Sequence, residues 1–101
     1  MEGKKFDTDK IQYDLVDASF LEDVAKVLTI GAQKYDRYNW KKVSPHRYEA
    51  ALLRHIQAWR MGEMCDPETE IAHLAHAAAN LMFLYCHDMM EPVSISDIED
   101  V

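Results

Sequence analysis

The sequence has few glycines and cysteines and no long uninterrupted apolar run. With only three glycines in 101 residues, the glycine-rich phosphate loop, the dinucleotide-binding fingerprint and the nucleophile elbow are all excluded. The two cysteines, Cys65 and Cys86, lack any paired-motif spacing, which predicts free thiols in a reducing compartment. No leader pattern opens the chain, and no segment is apolar enough to span a bilayer, so we expect a soluble, cytoplasmic protein.

Positive charge is also scarce. The chain has eleven Lys and Arg residues and eighteen Asp and Glu residues, which gives a net charge of −7. This balance argues against binding duplex nucleic acid or an anionic membrane through overall charge. A chain of this length forms one domain with a small core, so association with further copies of itself is expected.

What the sequence does contain is helical periodicity. Apolar residues recur at spacings of three and four in three segments, which predict helices over about 18–35, about 45–61 and from the Asp66-Pro67 pair to about residue 88. Ser19 and Glu22 resemble a capping box for the first helix. Asp66 fits the cap of the third helix, and Gly62 ends the second.

The predicted fold class is all-α: a three-helix unit with an extended N-terminal arm, packed as a helical-bundle oligomer. The arm covers 1–17, the helical domain 18–89, and an acidic tail 90–101. Five alanines between Ala72 and Ala79 allow another backbone to approach the third helix closely, within the chain or between subunits.

A polar stripe interrupts this apolar third helix. His73, His76 and Asn80 share one face, and His55 of the second helix lies at a comparable depth if the two helices are antiparallel. Imidazoles and nearby carboxylates could hold a divalent metal. The alternative is a set of core histidines whose hydrogen bonds are satisfied, and in that case Asp66 serves only as a cap.

A second set of residues could bind a nucleotide. Arg47 and Arg54, seven residues apart, share a helix face and could converge on phosphate, while Trp40 and Tyr38 could stack on a base. Surface solvation of the arginines is the alternative. Trp59 is expected to pack in the core.

The dipeptide His87-Asp88 is similar to part of the motif of metal phosphohydrolases that use a His, a His-Asp pair and a distant Asp. His55 and Asp97 would have to complete such a site. The chain is short for that fold, and a surface histidine at a helix end is the simpler interpretation.

The ordered segments "LEDVAKVLTIGAQKYDRYNW", "RYEAALLRHIQAWRMGE" and "DPETEIAHLAHAAANLMFLY", with the opening "KFDTDKIQYDLV", resemble a largely phage-encoded family, the dATP/dGTP diphosphohydrolase N-terminal domain. The resemblance implies cleavage of a purine deoxynucleoside triphosphate to the monophosphate and pyrophosphate, in the host cytoplasm. It also implies a distant similarity to MazG-like all-α pyrophosphohydrolases. The magnesium carboxylates of those enzymes, Glu-x-x-Glu and Glu-x-x-Asp, are missing, and His73 and His76 stand where the second pair would be.

If the chemistry is retained, imidazole ligands favour manganese or zinc over magnesium. The resulting hypothesis assigns the residues as follows: metal ligands His55, His73 and His76; catalytic carboxylates Glu63 and Glu70; substrate-binding residues Lys34, Trp40, Arg47, Arg54 and Asn80. Two alternatives stay open. One is a protein that sequesters a nucleotide or nucleotide-derived signal without cutting it, and the other is an oligomeric scaffold whose polar stripe sets helix register.

Overall fold

Three α-helices make up most of the protein, whose computed structural model describes residues 3–4 and 6–90. They are α1 (Ala18–Tyr35), α2 (Pro45–Arg60) and α3 (His73–Met90), and short 3-10 turns at Tyr13–Leu15 and Asn39–Lys42 precede α1 and α2. The described residues contain no strand, only an isolated bridge between Cys65 and Ala72. The all-α prediction is confirmed. Residues 91–101 of the predicted tail lie outside the described residues.

The first helix begins at an aspartate cap. The Asp17 carboxylate accepts a hydrogen bond from the backbone N–H of Phe20 at 2.9 Å, so the predicted capping box of Ser19 and Glu22 is wrong, and the cap lies two residues earlier. Further along α1, Val24 is buried against α3. Leu21, one turn earlier, is 58% exposed, because the cluster that α1 shares with α3 begins only at Val24.

The second helix ends in a glycine turn, as predicted. Gly62 has a left-handed φ of 97°, a conformation that costs a residue with a side chain more than it costs glycine. The N–H of Gly62 donates to the Trp59 carbonyl at 3.0 Å, and the N–H of Glu63 donates to the Ala58 carbonyl at 3.0 Å. This pair of hydrogen bonds is a Schellman motif. The motif fixes the direction in which the chain leaves α2 and therefore where Glu63 lies.

The prediction that α3 starts at the Asp66-Pro67 pair is wrong, because the helix begins only at His73. Asp66 does cap a turn, accepting the N–H of Thr69 at 2.9 Å, but Glu70 then adopts a left-handed φ of 64° and breaks the helical path. The N–H of Asp66 donates to the Ile71 carbonyl at 2.9 Å. The segment between α2 and α3 is thus a closed turn, and Asp66 stays beside the start of α3.

The third helix packs against both of the others. Its alanine face carries Ala75 and Ala79, which are buried against Val24 of α1. On its other side α2 runs antiparallel, so that Tyr48 contacts Phe83 and His55 contacts His73. These alanines therefore pack against α1 of the same chain.

Several large apolar side chains remain on the surface. On α3 they recur at helical spacing along the side that faces neither α1 nor α2: Leu74, Leu81, Tyr85 and Met89. The arm exposes Phe6, Ile11, Tyr13 and Leu15. Trp59 is 47% exposed, so the expectation that it packs in the core is wrong for the single chain. Among the described residues, no helix combines the length and apolarity that crossing a bilayer requires.

Candidate functional site

A cluster of three imidazoles and a carboxylate lies where α2, the turn and α3 meet. The Nδ1 atoms of His55 and His73 are 2.9 Å apart, and His73 is only 3% exposed. His76, one turn further along α3, stacks on His55 with ring centroids 4.5 Å apart and planes 9° apart. Asp66 completes the group, since its carboxylate and one ring nitrogen each of His55 and His73 all lie within 4.8 Å of one another.

The Schellman motif at the end of α2 brings Glu63 against this cluster. The Oε1 atom of Glu63 lies 2.6 Å from Nε2 of His73. A carboxylate can only accept, so this short contact places the proton of a neutral His73 ring on Nε2. The Nδ1 atom of His73 then presents its lone pair toward His55, which is the arrangement that carboxylates impose on metal-binding histidines.

Thr69 connects the turn to the histidines through its hydroxyl group. The hydroxyl oxygen lies 3.0 Å from Oδ2 of Asp66, 2.7 Å from Nε2 of His76 and 3.2 Å from the backbone N of Ile71, which donates to it. A hydroxyl group has one donor and two acceptor positions. All three are used if Thr69 donates to Asp66 and accepts from the Ile71 N–H and from the Nε2–H of His76. Asp66 and His76 are therefore held in fixed orientations by one small side chain.

The electrostatics of the cluster favour neutral imidazoles and an ionised carboxylate. Burial, reinforced by the neighbouring His76 and His73 rings, lowers the pKa of His55, and burial also lowers the pKa of His76 against the opposing effect of Asp66. Burial alone would raise the pKa of Asp66, but the hydrogen bonds from the Thr69 N–H and hydroxyl outweigh it and lower that pKa. Neutral imidazole nitrogens and a carboxylate oxygen are the forms that bind metal ions.

A groove of about 930 Å³ opens beside the cluster, between α1, the 3-10 turn Asn39–Lys42, α2 and α3. Its lining includes the aromatic rings of Trp40 and Tyr48, the cations Arg47 and Arg54, and Asn80, which is 8% exposed. The Asn80 amide donates from Nδ2 to the His76 carbonyl at 2.8 Å. The groove and the cluster thus adjoin along α3, one helical turn apart.

The wall of the groove is an ordered aromatic stack. Trp40 packs on Phe83 with ring centroids 5.7 Å apart, and Tyr48 packs on the same phenyl ring at 4.7 Å. His87 meets the indole of Trp40 edge-on and donates from Nε2 to the Trp40 carbonyl at 2.8 Å. His87 is therefore not the surface histidine expected at a helix end. Asp97, which a metal phosphohydrolase motif would need, lies outside the described residues.

Comparison with known proteins decides the family. The model of the family described as dATP/dGTP diphosphohydrolase, N-terminal, matches residues 1–97. The chain belongs to this family. A dATP/dGTP diphosphohydrolase of Salmonella phage PMBT28 is 44% identical over 85 residues, which cover 84% of this chain and 29% of that relative. This chain therefore spans less than a third of the phage protein it matches. No solved structure matches it.

The family resemblance inferred from the sequence is thus confirmed, and the structure shows where the predicted site residues of this family member lie. His55, His73 and His76 come together, but the group whose ligand atoms converge consists of His55, His73 and Asp66. His76 stacks on His55 and bonds Thr69 instead. Of the five predicted substrate-binding residues, four line the groove: Trp40, Arg47, Arg54 and Asn80.

The remaining predicted residues are placed differently. Lys34 is outside the groove lining, and its Nζ lies over the ring of Tyr35, 5.2 Å from the centroid. Glu63 contacts His73 and so orients an imidazole. Glu70 is exposed in the left-handed turn, and within the described residues its side chain forms no hydrogen bond or ion pair.

Two residues of the site have roles that the sequence pattern does not predict. Thr69 falls inside the predicted start of the third helix, and its spacing of three from Asp66 and seven from His76 is the signal that could have placed it beside both. His87 was considered as a metal ligand, whereas its structural role is to hold Trp40 at the groove. The sequence positions of Trp40, Tyr48 and Phe83 do not predict an aromatic stack, because the three residues belong to different elements.

Proposed function

We propose that this chain binds a purine deoxynucleoside triphosphate in the groove and takes part in its metal-dependent hydrolysis to the monophosphate and pyrophosphate. The observation that carries the proposal is the adjacency of an aromatic, cation-bearing groove to a histidine–carboxylate cluster in a chain similar to a phage dATP/dGTP diphosphohydrolase. A volume of about 930 Å³ is within the range of small-molecule sites.

The geometry supports one orientation of the ligand. Trp40 and Tyr48 offer flat surfaces for a base at the end of the groove near Phe83, and the cluster begins about 10 Å away along the axis of α3, at His76. The base would therefore lie by the aromatic wall and the phosphates toward the cluster.

Arg54 and Arg47 would neutralise the phosphates in this orientation. Both line the groove from α2, and Arg54 directly precedes His55 of the cluster. Guanidinium groups stabilise the charge that develops on phosphate oxygens during transfer. Asn80 has its amide nitrogen committed to α3, so its amide oxygen is the atom available to accept a hydrogen bond from the sugar or base.

A divalent cation bound at the cluster would polarise the phosphate and lower the pKa of a water molecule. The chain's own contribution is to hold neutral imidazoles and the Asp66 carboxylate in place through Glu63 and Thr69. Glu70 is the candidate general base. It follows Asp66 of the cluster by four residues, its side chain is exposed, and its carboxylate has no hydrogen-bond or ion-pair partner among the described residues. Glu70→Gln would then lower kcat while leaving nucleotide affinity unchanged.

The proposal is tested by incubating the purified chain with each of the four dNTPs and magnesium, manganese or zinc, and resolving the products by anion-exchange chromatography. We expect dAMP or dGMP with pyrophosphate. Formation of a diphosphate and orthophosphate would contradict the proposed bond, and absence of monophosphate with every metal would reject hydrolysis by this chain.

A matched pair of variants ties the activity to the groove. Arg54→Ala removes a groove cation and should lower kcat/KM, whereas Arg60→Ala removes an exposed cation elsewhere on α2. Equal losses in the two variants would mean that overall charge, and not the groove, determines the rate.

A second candidate function is nucleotide binding without cleavage. It is favoured by the share of the phage relative that this chain covers, 29%, because the groove could present a nucleotide to chemistry located elsewhere in a longer protein. Nucleotide recovered intact and in stoichiometric amount from the denatured complex would support it, and catalytic turnover would reject it.

A further inference from the structure

We infer that His55, His73 and Asp66 form a site for one divalent first-row transition cation, manganese or zinc in preference to magnesium or calcium. The use of such a cation rests on the proposed function, whereas the site itself rests on the geometry of the cluster. The donors come from three separate elements, the middle of α2, the turn and the first residue of α3, and converge within 4.8 Å.

The contact between the two imidazoles fits a bound cation. Two nitrogens 2.9 Å apart, each about 2.1 Å from a metal, subtend an angle close to a right angle, as adjacent ligands do in octahedral coordination. A tetrahedral site would require the two nitrogens to separate by about 0.5 Å, a small shift between two helix-borne side chains. Both coordination types are therefore within reach.

The proton arrangement is also suitable. Glu63 holds the proton of His73 on Nε2, so without a metal the 2.9 Å contact is a hydrogen bond from Nδ1–H of His55 to Nδ1 of His73. Binding a cation between the rings would release the Nδ1 proton of His55 to solvent, and His55 would take one proton from solvent on Nε2. The ring would then be its Nε2–H tautomer with no net proton change, and Nδ1 of both histidines would be free to act as ligands.

The donor set determines which cation is preferred. Imidazole nitrogens suit zinc and other first-row transition ions, the carboxylate also suits manganese, and magnesium and calcium prefer sites made of oxygen ligands alone. Two nitrogens and one carboxylate leave coordination positions open for water or phosphate oxygen. His76 supports the site from outside, because it stacks on His55 and shares the Thr69 hydroxyl with Asp66.

The experiment is a titration of the metal-free full chain with manganese, zinc, magnesium and calcium by isothermal calorimetry, with stoichiometry measured by elemental analysis. We expect one manganese or zinc per chain, and at least tenfold weaker binding of magnesium and calcium. His55→Ala and Asp66→Asn should each weaken manganese binding at least tenfold. His46→Ala, an exposed histidine on α2 that bonds Ser44, should leave manganese binding unchanged.

Two further controls keep the outcome decisive. Cys65 is exposed beside Asp66 and could bind zinc by itself, so Cys65→Ser must leave manganese affinity unchanged. Circular dichroism of each variant separates loss of metal from loss of folding. Equal manganese affinity in wild type, His55→Ala and Asp66→Asn overturns the site.

Failure of this inference can be told apart from failure of the proposed function. Stoichiometric manganese binding with no turnover of any dNTP would reject hydrolysis and keep the metal site. Turnover with magnesium that survives both His55→Ala and Asp66→Asn would reject the site and keep hydrolysis.

Discussion

His87 of α3 holds Trp40 in place across 47 residues of sequence, donating from Nε2 to the Trp40 carbonyl at 2.8 Å while its ring meets the indole edge-on. The indole lies on a short 3-10 turn between α1 and α2, an element with few contacts of its own. The histidine therefore gives a loop residue the fixed orientation that a stacking surface requires.

Replacement of Trp40 is expected to weaken nucleotide binding. Stacking of a base on an aromatic ring is worth about 1–3 kcal/mol, so Trp40→Ala should raise the Kd for dATP about 5- to 150-fold, measured by fluorescence or calorimetry. Trp59→Ala removes an exposed tryptophan from outside the groove and serves as the control. His87→Phe keeps a ring and loses the hydrogen bond, so a smaller increase is expected. Unchanged affinity in Trp40→Ala would place the base elsewhere.

The stability of the metal-free chain should fall in mild acid. The pKa values of His55 and His76 are lowered from the ordinary 6.5, so below about that pH the unfolded chain binds more protons than the folded one. The contribution of these two histidines to stability is therefore full above pH 6.5 and decreases as the pH falls below it. The lowered pKa of Asp66 acts in a different range, since its contribution is kept until the pH approaches 3.8.

The acid effect can be measured by urea unfolding in the presence of chelator at about pH 7.5 and about pH 5, on either side of the histidine pKa. His55→Asn should reduce the difference between the two pH values. Gln57→Asn, an exposed change two residues along α2, should not. A difference that His55→Asn leaves intact would assign the acid sensitivity to other groups.

The cap of α1 provides a test of local stability. Asp17→Ala should lower the free energy of unfolding by about 1 kcal/mol, because the first turn loses the acceptor for the Phe20 N–H. Ser19→Ala should change it by less than about 0.5 kcal/mol, as an exposed residue without such a bond does. The reverse order in chemical denaturation would restore the capping box of Ser19 and Glu22.

Self-association remains a prediction, and the structure indicates which face of α3 would mediate it. Leu81 and Tyr85 are 57% and 63% exposed on the side that contacts neither α1 nor α2, and with Leu74 and Met89 they follow the spacing of a helix–helix seam. Wild type should sediment as a dimer or larger species, and Leu81→Lys as a smaller one. Leu53→Lys, on α2, should sediment like wild type; monomeric wild type would refute the expectation.

The sequence was informative wherever one segment carried its own periodicity and end signals. The bounds of α1 and the glycine stop of α2 follow from local rules, and the juxtaposition of His55 with His73 follows from antiparallel helices joined by a short turn. The start of α3 could not be found in this way. An aspartate that accepts the N–H three residues ahead looks the same at a helix start and in an isolated turn.

The left-handed conformation of Glu70 excludes a helix that starts at Pro67. Glutamate rarely adopts this conformation, so the sequence does not predict it. The same residue determines the donor set, because the isolated turn keeps Asp66 beside His55 and His73. If α3 began at Pro67, Asp66 would serve as the N-cap of a longer helix. The carboxylate of the cluster thus depends on a backbone feature that the sequence pattern does not contain.

The cluster lies within the hairpin of α2 and α3, and its two most distant members in sequence, His55 and His76, are only 21 positions apart. Closing so short a loop costs little chain entropy, and contacts between near neighbours in sequence form early in folding. The hairpin can therefore assemble the cluster before α1 docks. If manganese binds the cluster, it should stabilise the hairpin of α2 and α3 directly and the contact between α1 and α3 only through it.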